Sequence, residues 1–112
     1  MSDFDKAIKA RQAARSWVTK SDTKLNELLT KDPAVELEEL QDAVDNFDKR
    51  LSNLDNAQEN VEFEIALEDL EKDIEQACAF RENMRTNRIK AYKLLSAKLK
   101  NDSDNGIDDD VF

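Results

Sequence analysis

Apolar residues at alternating three- and four-residue spacing run through the middle of this 112-residue chain. They are Leu37, Leu40, Val44, Phe47, Leu51, Leu54, then Val61 and Ile65, with Gln58 the one interruption. This is a heptad seam held for about four heptads, and it puts one apolar stripe along a long helix. A stripe of that length must be covered by other helices, so the chain is constrained to a helical packing module before anything else about it is considered.

Composition points the same way. The chain has one Gly (Gly106) and one Pro (Pro33), too few backbone breakers for a turn-rich β fold. Charged residues make up 38% and aromatics 6%, the balance of a long-helix bundle or coiled coil. A chain of this length is one domain at most. The single Cys78 has no internal partner for a disulfide. With no signal-peptide pattern and no long apolar run, the expected location is intracellular and cytoplasmic.

The formal charge is −9, unevenly spread. Residues 1–31 carry seven basic and four acidic side chains, and residues 32–80 carry three and sixteen. Residues 81–100 carry seven and one, and 101–112 carry five acids and no base. An acidic middle argues against nucleic-acid binding. The cations Arg81 to Lys100 fit the C-terminal end of a helix dipole, with Glu71, Asp73 and Glu75 toward its start.

Three helices are expected over about residues 2–30, 33–65 and 69–100, as an all-α, antiparallel three-helix bundle or coiled coil about 45 Å long. The bundle occupies residues 1–100, and an acidic disordered tail 101–112. In the first helix, Phe4, Ile8, Val18, Leu25 and Leu29 share a stripe, with Ala7, Ala10, Ala14, Trp17 and Leu28 beside it. Arg11, Arg15 and Asp22 interrupt the first stripe and are expected at its edge, and Trp17 is expected as a core anchor. Asp32 before Pro33 reads as an N-cap with Pro in the first helical turn. The second break falls near 65–69, where the apolar phase shifts to Leu70 and Ile74; a stutter in one continuous helix is the competing explanation. The third helix would pack through Leu70, Ile74, Ala77 or Cys78, Met84, Ile89, Tyr92, Leu95 and Leu99.

Chemistry-bearing constellations are missing from this pattern. There is no His, the commonest general base and metal ligand, and no Gly-rich phosphate loop. Glu68, Asp69, Glu71, Asp73 and Glu75 read as a solvated face, and Cys78 as a buried small hydrophobe. Asn101, Ser103, Asn105 and Asp109 sit at calcium-loop spacing around Gly106, but position one is Asn and position twelve is Phe112, so the match reads as chance. The terminal Asp110-Val111-Phe112 reads as part of an acidic tail rather than a carboxylate motif. No catalytic, cofactor or metal site is expected, and no small-molecule substrate.

Taken in order, several segments resemble the N-terminal helical region of gag polyproteins of BEL/Pao-type LTR retrotransposons. They are Ala14-Arg15, Leu25…Leu28-Leu29, Leu37-Glu-Glu-Leu40, Phe47-Asp-Lys-Arg-Leu51, Ala57-Gln58…Val61-Glu62 and Asp73-Ile-Glu75…Ala79-Phe80-Arg81. The resemblance spans roughly residues 10–100 and implies a structural role, self-association during particle assembly or a host-domesticated remnant of that activity. Such gags are much longer, and their capsid-like and zinc-knuckle parts have no counterpart here. Three helices with Trp17 in the first also resemble a spectrin-type repeat, although Tyr92 and Leu95 stand where that family places a second Trp. That resemblance implies a monomeric adapter or spacer that binds a protein partner. The expected function is therefore a non-enzymatic coiled-coil assembly or interaction domain, with the packing or interface residues Leu37, Leu40, Val44, Phe47, Leu51, Leu54, Val61, Ile65, Trp17, Leu70 and Ile74.

Overall fold

A computed structural model describes residues 2–32 and 34–104, with side chains as far as Lys100. It contains three helices: α1 (Asp3–Thr30), α2 (Leu37–Glu64) and α3 (Leu67–Asp104). Ser2 caps α1 by accepting from the Asp5 amide at 3.1 Å, and Asp3 and Asp5 place negative charge in the first turn. At the other end the Lys31 amide donates back to the Leu28 and Leu29 carbonyls.

The second helix starts at Leu37, after an extended Glu36 (φ −80°, ψ 145°), and not at residue 33 with Asp32 as its cap. A helix begun at 33 would leave only Lys31 and Asp32 to reverse the chain. The longer connection also drops Val35 into the core, where it is 3% exposed. Pro33, on which the earlier boundary rested, lies outside the described residues.

The second break falls at Ile65 and Ala66, so α2 and α3 are two helices rather than one with a stutter. Ile65 is extended (φ −73°, ψ 148°), and its amide closes α2 onto the Val61 carbonyl at 2.9 Å. Ile65 thus leaves the seam and sits half-buried at the turn. Beyond it α3 begins at Leu67 and runs to Asp104, past the expected end at 100. Its 38 residues span about 57 Å at 1.5 Å each, which accounts for the 59 Å long axis of the molecule. The expected disordered tail, its calcium-like spacing and its last three residues lie from 105 onward or in side chains beyond Lys100, outside the described residues.

Cross-helix contacts give the topology. Arg11 meets Gln58 while Ser21 meets Asn46, so α1 and α2 are antiparallel. Asp48 meets Arg88 while Asp55 meets Arg81, so α2 and α3 are antiparallel too. Arg11 meets Asp73 while Asp22 meets Asn87, which makes α1 and α3 parallel. The result is an up-down-up three-helix bundle.

The core is unevenly supplied. Val18, Leu25 and Leu28 of α1 interlock with Leu40, Val44, Phe47 and Leu54 of α2, and Val35 closes one end. Leu37 and Leu51 pack at the margin, and Val61 is fully buried. From α3 only Ala91 and Leu95 enter this cluster as buried residues, with Phe80, Met84 and Leu94 partly covered.

Candidate functional site: the outer stripe of the third helix

The polar residues that interrupt the stripes turn out to organise the bundle. Arg11 is buried, not at the stripe's edge, and its Nη1 donates to both Asp73 oxygens at 2.8 Å and to Gln58 Oε1 at 3.0 Å. Gln58 Nε2 donates in turn to Asp73 at 2.8 Å and to Glu62 at 2.9 Å. One residue from each helix therefore meets in a single buried polar layer. Asp73 belongs to this layer and not to a solvated acidic face; Glu68, Asp69, Glu71 and Glu75 are exposed. Desolvation raises the Asp73 carboxyl pKa, but hydrogen bonds from Arg11 and Gln58 and the charges of Arg11 and Arg15 outweigh it and hold it below the usual range. Burial and then the charge of Arg11 lower the pKa of Arg15, against an opposing pull from Asp73. Farther along α1, burial raises the Asp22 carboxyl despite hydrogen bonds donated by Asn87.

Across the α2–α3 groove, two guanidinium groups grip carboxylates with paired hydrogen bonds. Arg81 reaches Asp55 at 2.7 and 3.1 Å, and Arg88 reaches Asp48 at 2.8 and 3.0 Å. Each pair raises the pKa of its arginine, chiefly through the hydrogen bond to the acid. These two arginines stand where a strict heptad on α3 would place apolar residues.

Beneath those bridges the groove is incompletely filled. A cavity of about 140 Å³ lies among Leu54, Ile74, Ala77 and Phe80, and one of about 340 Å³ among Leu51, Met84 and Ile89. The first is smaller than a typical small-molecule site of about 300–1,000 Å³, and the arginines lining the second are already paired with Asp55, Glu82 and Asp48. Cys78 lines both and is exposed, not buried as its sequence context suggests. The nearby cations Arg81 and Arg85 are engaged with Asp55 and Glu82. Among the described residues no cluster of three His, Cys, Asp or Glu side chains is placed to hold a metal.

The surface feature that stands out is apolar. Seven large hydrophobic side chains are exposed among the described residues, and five of them are on α3: Leu67, Ile74, Ile89, Tyr92 and Leu99. Leu67 is 85% and Tyr92 54% exposed. At helical spacing these five and Cys78 fall on one flank of α3, beside its buried face. Ile74, Ile89, Tyr92 and Leu99 were expected in the core of the third helix; the buried face instead uses Asp73, Ala91 and Leu95, about a quarter-turn away. Leu70 is half-buried.

Trp17 is likewise no core anchor. It is 48% exposed and stacked by Arg50 at 4.3 Å and Lys20 at 4.8 Å. Cation–π contacts cover it on a charged surface, where a purely apolar reading of its stripe fails. Phe63 is the remaining exposed aromatic, next to the α2–α3 turn. Among the described residues no helix is long and apolar enough to cross a membrane. No protein-family model, curated protein or solved structure matches the chain.

Proposed function

We propose that this chain is a non-enzymatic helical interaction domain that works by self-association. The observation that carries the reading is the outer stripe of α3, where five large apolar side chains keep 38% to 85% of their surface in solvent although each of the three helices already has a packed face. Exposed apolar rows of this kind mark surfaces that another protein covers. The resemblance to gag N-terminal regions implies the same role, assembly through helical contacts. The seam of α2 is spent inside the bundle, since Leu40, Val44, Phe47, Leu54 and Val61 are buried. The association surface is therefore on α3.

Absolute mass by light scattering behind a sizing column tests this directly. The expected outcome is a mass that climbs from the 12.9 kDa of one chain toward twice that value as concentration rises. A mass fixed at one chain across the range overturns self-association and favours a monomeric spectrin-like adapter whose stripe takes a different protein.

A further inference from the structure

The outer stripe of α3 is nearly a palindrome in apolarity, while the charges beside it change sign on reversal. Reversed about a point near residue 83, Leu67 falls opposite Leu99, Ile74 opposite Tyr92, and Cys78 within one residue of Ile89. Helix α3 is also divided by charge: Glu68, Asp69, Glu71 and Glu75 lie in its first third, and Lys93 and Lys100 in its last. Under the same reversal Glu75 comes opposite Lys93 and Glu68 opposite Lys100, within two residues. Glu75 and Lys93 take part in no ion pair among the described residues.

We infer that the occupant of this stripe is a second copy of the chain, with the two α3 helices packed antiparallel about a two-fold axis near residue 83. The inference rests on the self-association reading above and adds its geometry. An antiparallel pair sets each acidic third against a basic third and each apolar residue against another. A parallel pair would set Lys on Lys and Glu on Glu along the whole length, and like charges at helical contact are destabilising. At 1.5 Å per residue the stripe from Leu67 to Leu99 is about 48 Å long, enough for a continuous helix–helix contact. Two-fold symmetry uses the same patch on both copies, which is why a self-complementary row is its signature. Arg81 and Arg85 meet their counterparts at the centre, and Asp55 and Glu82 already offset their charge.

The test is disulfide trapping in the full chain with Cys78→Ser as background. Ile74→Cys and Tyr92→Cys are made separately, both at exposed positions that leave the core intact. A disulfide needs Cβ atoms about 4 Å apart. The expected result is a covalent dimer when the two variants are mixed and oxidised, and none from either alone, because like positions then lie about 27 Å apart along the helix. Covalent dimer from each variant alone would mean parallel pairing and would overturn the geometry while self-association stood. A dimer by light scattering that traps in no combination overturns the assignment to this stripe. In parallel, Glu75→Lys or Lys93→Glu is expected to weaken dimerisation about tenfold, because each reversal acts twice across the two-fold axis. The double variant restores it. Failure of the double variant to recover overturns the antiparallel register, and a strict monomer in the parent chain overturns both proposals at once.

Discussion

At the scale of the single residue, Asp73 carries the most weight. It sits where three helices meet, accepting from both Arg11 and Gln58. Removing one member of a buried ion pair leaves an uncompensated charge, so Asp73→Asn should cost about 3 kcal/mol in urea unfolding. Replacing both partners, Arg11→Met with Asp73→Leu, should return stability to within about 1 kcal/mol of the parent, since apolar isosteres escape the desolvation cost. The carboxyl is depressed in the folded protein, so its contribution is complete above the ordinary carboxylate pKa of about 3.9. It is lost as pH falls through the lower folded value. Asp22 is raised and acts in the opposite sense, favouring the fold at low pH and losing that advantage as pH rises through its folded pKa. The parent should therefore lose stability below about pH 4, and Asp73→Asn should show a flatter profile there; an identical decline in both would place the titrating group elsewhere.

At the scale of the element, α3 differs from the other two helices. It is the longest, yet it gives the core only Ala91 and Leu95 as buried apolar side chains. Its docking relies on polar contacts that are partly in water. The Arg81–Asp55 pair is about half exposed, and such pairs contribute about 1 kcal/mol or less. Leu95 is thus the chief apolar peg. Leu95→Ala should cost about 2–4 kcal/mol in chemical denaturation, whereas Leu67→Ala should stay within about 0.5 kcal/mol. Equal effects would mean that Leu67 is covered in the folded chain. This imbalance also explains what could be read from sequence. The seam of α2 is legible because its apolar positions keep one phase from Leu40 to Val61. Helix α3 is not, because two apolar rows compete on it, and only tertiary contact decides that the row of Ala91 faces inward while the row of Ile89 and Tyr92 faces out. Arg11 reads as an edge residue for a related reason: a lone cation in a stripe has no local sign of the Asp73 that meets it 62 positions later.

At the scale of the whole molecule, helix count, order and orientation follow from composition, the scarcity of Gly and Pro, and the halves of opposite charge on the second and third helices. The outer stripe is present in the sequence as Ile74, Ile89, Tyr92 and Leu99, but periodicity marks a row and not what covers it, so the same row reads equally well as core. Phe47 tests the architecture as a unit. It is 1% exposed and faces both neighbouring helices' core residues. Phe47→Asp buries an unpaired charge at the centre, and the expected outcome is loss of cooperative thermal unfolding with a collapse of helical circular dichroism. Unchanged helicity and melting would mean that α2 does not pack through this seam. The uneven sharing of the core has a last consequence. A bundle opens first along its least buried contact, and here that means α3 lifting from a hairpin that holds most of the apolar surface. What remains would be a pair of helices with Leu40, Val44 and Phe47 open to water and to other opened chains. The sparsely anchored helix covers that surface, so variants that loosen α3 should precipitate well before they lose their helices.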